Sequence, residues 1–241
     1  MTVVEHLGEL RSRLILSLVA FGLISVGAFT FYEPMLGFLL EPLCSLPRDA
    51  LGPQGCRLIF TKPLGAFLFR LQMTAMVGIA LSSPVWLYQL YAFILPALTP
   101  KERRYSIPFL ASSVTLFLIG SVFAYLTLSN GVRFLITIGG DDLVPFLGAQ
   151  EYLNFVGLML LGFGISFQLP LVLIFLGLAE AVTAEGLRKQ RKVAIVSIFV
   201  VAAVVTPSQD PYTMSVLAVP LYLLFELTLL ILGRVERARR T

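Results

Sequence analysis

The feature that most constrains this chain is a series of apolar runs long enough to cross a lipid bilayer. A spanning helix needs about 20 mainly apolar residues. Six segments approach that length, at about 14–31, 64–91, 105–128, 153–179, 193–205 and 212–232. The chain is 57% hydrophobic and 13% charged, whereas a soluble domain carries about 25% charged residues. Inside a bilayer no water satisfies open backbone groups, so such runs fold as helices. The expectation is an all-α membrane protein, a single polytopic domain over residues 1–241, set in the lipid bilayer.

The first run is too long for the apolar core of a cleavable signal, roughly 7–15 residues, and no small-residue cleavage site follows it. It reads as the first span. Orientation follows from the basic residues, because Lys and Arg near span ends stay in the cytoplasm. One set of loops holds Arg11, Arg13, Lys101, Arg103, Arg104, Arg188, Lys189, Arg191, Lys192, Arg234, Arg237, Arg239 and Arg240. The opposite set holds only Arg48, Arg57, Lys62, Arg70 and Arg133, with Arg70 better placed inside the second helix. Six transmembrane helices with both termini cytoplasmic satisfy this distribution.

The outer connections differ in character. Residues 33–63 are proline-rich and suit an ordered cap or an irregular cover, while 206–211 is only a turn, T-P-S-Q-D-P. Pro84 predicts a kink in the second helix. The fifth helix is short: 13 apolar residues rise only about 20 Å against a hydrocarbon core of about 30 Å. Helices five and six therefore form a short hairpin that thins the bilayer, tilts its neighbours or leans on a partner helix. The alternative is that the helix starts earlier and Lys189 and Lys192 snorkel outward. Cys44 and Cys56 both fall in the first outer loop, where an oxidising compartment permits a disulfide worth roughly 3 kcal/mol. Two free thiols are the alternative.

Candidate chemistry sits at the basic side. In the stretch 5–14, E-H-L-G-E-L-R-S-R-L, the spacing puts Leu7, Leu10 and Leu14 on one helical face and Glu5, Glu9 and Arg13 on another. The structural reading is a surface helix lying on the membrane with Glu9 paired to Arg13. The functional reading is a carboxylate offered to a cationic ligand. Residues 93–104, F-I-L-P-A-L-T-P-K-E-R-R, set one acid, Glu102, among Lys101, Arg103 and Arg104. Glu102 also fits a capping box opened by Thr99, with Pro100 at the first helical position. The polar groups within the spans are few, Asn154, Gln168 and Glu226 among them, and intramembrane polar groups usually face a cavity or a partner. Glu226, about two turns before Arg234, also reads as an interfacial acid.

An enzyme is not expected. The single histidine, His6, lies at the N-terminus, and the sequence holds no phosphate-binding loop, no H-E-x-x-H and no histidine to activate a serine within the spans. No cofactor and no metal site is expected.

Four motifs then coincide in order: H-L-G-E-L-R-S-R-L at 6–14, F-x-x-P-A-L-x-x-x-E-R-R at 93–104, F-G-I-S-F-Q-L-P at 163–170 and T-P-S-Q-D-P at 206–211. Together they resemble the TatC family, the receptor subunit of the twin-arginine protein translocase, over essentially the whole chain. The resemblance implies six spans and a cytoplasmic (inner) membrane location. It also implies binding of Arg-Arg signal peptides of folded export substrates at the cytoplasmic face. Site residues carried over are Glu9, Glu102 and Phe93, rimmed by Arg11, Arg13, Arg103 and Arg104. Gln168, Thr206, Asp210 and Glu226 become a polar or partner-facing set, with Gln168 standing where many relatives carry glutamate. Implied partners are single-span TatA- and TatB-type subunits and other TatC copies, with no nucleic acid, and export is driven by the proton-motive force. Two other classes are weighed against this reading. An ion-coupled small-molecule transporter needs titratable groups at the midplane, and the spans offer few. A structural scaffold would use Glu102 only as a cap.

Overall fold

The computed structural model describes residues 3–47, 51, 55–94, 106–138, 147–208 and 210–240. Ten helices account for nearly all of these residues: α1 (Val3–Thr30), α2 (Tyr32–Cys44), α3 (Gly65–Leu81), α4 (Ser83–Ile94), α5 (Ser106–Thr137), α6 (Ala149–Ser166), α7 (Leu169–Leu178), α8 (Ala184–Lys189), α9 (Arg191–Val205) and α10 (Pro211–Arg240). The protein is an all-α membrane protein. Among the described residues, four stretches are each long and apolar enough to cross a bilayer, and the bent pair α3–α4 makes a fifth. The remaining crossing is α9, whose 15 residues rise only about 22 Å.

The observed elements depart from the expected spans in instructive ways. The N-terminal stretch is not a separate surface helix, because α1 runs unbroken from Val3 into the first span. The second span is broken rather than kinked. α3 ends at Leu81 with Ser82 as its C-cap, α4 restarts with Pro84 in its first turn, and the two axes differ by 54°. Proline lacks an N–H to continue the ladder but fits a helix start. α5 continues nine residues beyond 128, and α10 runs on to Arg240. The fourth span is interrupted at Phe167–Gln168, where Pro170 opens α7. The fifth helix gains only two residues upstream of 193, because Gln190 separates α8 from α9.

The described part of the connection between the first two spans forms a cap. α2 lies across one end of the bundle, where Tyr125 of α5 donates to the Phe38 carbonyl at 2.8 Å and Tyr152 of α6 donates to the Leu39 carbonyl at 2.7 Å. Cys44 and Cys56 are joined by a disulfide with their Cα atoms 5.0 Å apart. Ile59 then pairs with Gly148 in a single parallel bridge. These contacts define the disulfide end of the molecule.

The core runs along α3, α5, α6 and α10, where Met73, Phe117, Leu128, Val156, Phe163, Leu217 and Leu229 are almost wholly buried. α5 and α6 approach closely because two glycines meet at their crossing. A Cβ on Gly120 would lie 2.7 Å from the Phe163 carbonyl oxygen and 3.1 Å from the Gly164 Cα. Lipid offers no hydrophobic drive to press helices together, so small residues that admit backbone contact hold such crossings. α1 is peripheral: only 6% of its apolar window is buried in protein, and Leu14, Leu18, Leu23 and Val26 face outward.

At the opposite end the basic segments gather. α7 closes with Glu180 in the left-handed region (φ 59°). The Ala181 N–H bonds the Leu176 carbonyl and the Glu180 N–H the Gly177 carbonyl, a Schellman motif with glutamate where glycine is usual. Thr183 caps α8, accepting from the Gly186 N–H at 3.1 Å. Glu236 near the end of α10 accepts the Ala184 N–H at 2.7 Å. Thus one acid from the last helix fixes the loop that leads into the short hairpin.

Candidate functional site

The basic end contains a corner built by the start of α1 and the end of α4. One turn of α1 separates Glu9 from Arg13, so the side chains meet: Arg13 donates through Nε at 2.9 Å and Nη2 at 2.6 Å, both to Glu9 Oε1. A third donor, Nη1, reaches Gln89 Oε1 on α4 at 3.2 Å. Four residues further along α4, the Phe93 ring stacks on the His6 imidazole with centroids 4.3 Å apart. The pair is sheltered, with Arg13 and Glu9 side chains 26% and 19% exposed. Glu9 Oε2 is buried and has no hydrogen-bond partner among the described residues. A carboxylate with one engaged and one unengaged oxygen retains capacity for another donor.

Of the expected site residues, the structure brings Glu9, Arg13 and Phe93 together and leaves Arg11 exposed to the outside of α1. Glu102, Arg103 and Arg104, with the capping box from Thr99, lie outside the described residues. In the sequence they fall between Ile94, the last residue of α4, and Ser106, the first of α5. Tyr91 stacks on Phe109 at 5.0 Å, tying the two flanking helices.

The family's sequence profile, described as Sec-independent protein translocase protein (TatC), matches residues 5–220. This chain belongs to the TatC family. Among curated TatC proteins it is 45% identical to that of Frankia casuarinae over 96% of its own length and 65% of the relative's. It is 38% identical to that of Corynebacterium kroppenstedtii, covering 95% of this chain and 60% of that protein. The chain therefore spans less than two thirds of those two relatives. Against the TatC of Aquifex aeolicus it is 37% identical, over 100% of this chain and 98% of the relative. A crystal structure described as the twin arginine translocase receptor TatC superposes with a TM-score of 0.80 at 36% identity, covering 94% of this chain and 99% of that one.

The other expected positions of this TatC-family chain are each occupied by an internal partner. Gln168, at the break between α6 and α7, is held twice by α5: Ser113 Oγ donates to its Oε1 at 2.8 Å, and its Nε2 donates to the Ser113 carbonyl at 2.9 Å. An amide that needs both a donor and an acceptor is thereby satisfied within the bundle. Thr206 is buried and turns its hydroxyl back to the Ala202 carbonyl at 2.8 Å, closing α9. Asp210 caps α10, with Oδ1 accepting from the Thr213 N–H at 2.8 Å and Oδ2 accepting from the Ser208 and Thr213 hydroxyls. Burial alone would raise its pKa. The hydrogen bonds from Ser208, Thr213 and the Tyr212 backbone outweigh that and hold the carboxyl below its ordinary 3.8.

Glu226 is ion-paired: Arg191, at the start of α9, donates to Oε2 at 2.8 Å and the Tyr222 hydroxyl to Oε1 at 3.0 Å. It thus ties the short helix to α10. Asn154 accepts from Gln72 of α3, which in turn accepts from Gln150.

Sequence reasoning missed Gln89, Ser113 and Arg191 as partners. Gln89 left a signal, a lone amide in the apolar run W-L-Y-Q-L-Y-A-F, where an intramembrane polar group calls for a partner. Ser113 left none, since serine bonds its own helix backbone readily.

Proposed function

We propose that this chain is the receptor component of a twin-arginine translocase in a cytoplasmic (inner) membrane, with both termini on the cytoplasmic side. Its task is to bind the consecutive arginines of signal peptides on folded export substrates, and to nucleate assembly with TatA- and TatB-type single-span subunits and other TatC copies. The proton-motive force drives the export that follows. The observation that carries the reading is the corner at α1 and α4, where a half-buried Glu9, one turn along α1 from the His6 that stacks on Phe93, keeps one carboxylate oxygen without a partner among the described residues. Glu102 supplies the second carboxylate from the segment that begins next to Phe93. A guanidinium donates from a rigid planar fork that matches a carboxylate, and an ammonium does not. Two such acids within a cationic rim repel generic cations and accept an adjacent arginine pair. The short α9, tied to α10 by Arg191 and Glu226, leaves a face that suits a partner helix.

The test is photo-crosslinking in detergent or nanodiscs. A signal peptide with a photoreactive group beside its arginines is expected to label the α4 end around Phe93, and an Arg-Arg to Lys-Lys peptide to label it weakly. Labelling that is indifferent to the arginines overturns the reading.

A further inference from the structure

The corner holds its own arginine. Arg13 places two donors on Glu9 Oε1 and a third on Gln89 Oε1, so the group offered to a visiting guanidinium is already engaged by a resident one. The second oxygen, Oε2, is buried from solvent, so a ligand reaches it only after a neighbour moves. Arg13 is the neighbour with somewhere to go, because Gln89 already accepts its Nη1 from a different helix.

We infer that Arg13 is a latch over Glu9, released toward Gln89 when the first arginine of an Arg-Arg peptide binds, so that Gln89 is a positioning residue for recognition. This rests on the receptor reading above and adds how access to the Glu9 carboxylate is gated. When a binding-competent form is only partly populated, apparent affinity falls by that fraction. A bidentate guanidinium competes for the carboxylate better than a single-point ammonium does. The latch therefore raises the threshold for every cation by the same fraction, and the preference for arginine over lysine rests on the guanidinium fork that meets the freed carboxylate. Gln89 lowers the cost of opening by keeping an acceptor on Arg13 after it leaves Glu9.

The test measures dissociation constants for Arg-Arg and Lys-Lys signal peptides on the purified chain in nanodiscs, at low and high salt. Arg13→Ala is expected to tighten Arg-Arg binding about two- to fivefold, the size of a partly exposed ion pair. It is expected to tighten Lys-Lys binding by the same factor, so that the preference for Arg-Arg is kept. The gain must persist at high salt, where screening removes the general effect of deleting a positive charge. Gln89→Leu is expected to weaken Arg-Arg binding and Gln89→Glu to strengthen it, opposite shifts that misfolding cannot produce together.

If the wild type binds the Arg-Arg peptide through Glu9 but Arg13→Ala weakens it, or if both Gln89 variants behave as wild type, the latch is wrong and the receptor reading stands. If wild-type binding does not change with Glu9→Gln, the receptor reading itself fails, and the latch with it.

Discussion

Asp210 and Glu9 show how one kind of side chain is set to different work by what surrounds it. Asp210 has both oxygens engaged by the turn and by the first turn of α10, so it is a cap. Loss of such a cap costs about 1 kcal/mol, and Asp210→Ala is expected to lower the midpoint of thermal unfolding in detergent. Its depressed pKa fixes the sign of the acid response. The stabilisation is present above the ordinary carboxyl value, and it is lost as pH falls through the lower folded-state value. Thermal stability of the wild type should therefore drop in that acid range, and Asp210→Asn should flatten the drop. Glu9 keeps an oxygen without a partner among the described residues, which is the difference between a strut and a site. The Glu9–Arg13 pair was legible from their spacing alone. The pairing of Arg13 with Gln89 was not, because 76 residues separate them and no local period links them.

Among the elements, the α5–α6 crossing and the short α9 carry the mechanics. Gly120→Val places branched carbons against the Phe163 carbonyl, a backbone atom that cannot swing aside, and against the base of the Phe167 ring. Overpacking of this kind costs about 1–3 kcal/mol, so its unfolding midpoint should fall well below that of Gly22→Ala, which enters open space. Apolar run lengths in the sequence showed which segments cross, and the shortness of α9 was visible in the same way. The length of α5 was not, because its last turns, S-N-G-V-R-F-L-I-T, read as the start of a loop until packed under α2 and α6. α9 leads to a bilayer prediction. Matching a span of about 22 Å to hydrocarbon of about 30 Å costs a fraction of a kcal/mol per ångström. The protein should melt higher in short-chain than in long-chain phosphatidylcholine, and equal midpoints would remove mismatch from the account.

For the whole molecule, the disulfide end is rigidly capped while the basic end collects every expected binding residue that the structure describes. Its parts are joined by side-chain ties: Glu236 to α8, Arg191 to Glu226, Arg13 to Gln89. The sequence pattern supplied the all-helical bundle and the clustering of basic loops, since both are one-dimensional properties of the chain. It could not supply the ties, which depend on how helices distant in sequence face one another. The central claim is that Glu9 and Glu102 together hold an arginine pair, and one affinity measurement tests it most directly. The dissociation constant of an Arg-Arg signal peptide should be compared between the wild type and the Glu9→Gln, Glu102→Gln double variant in nanodiscs. Each charge-assisted pair contributes about 1.5–3 kcal/mol, so the account predicts binding at least about a hundredfold weaker in the double variant. An unchanged dissociation constant would contradict it.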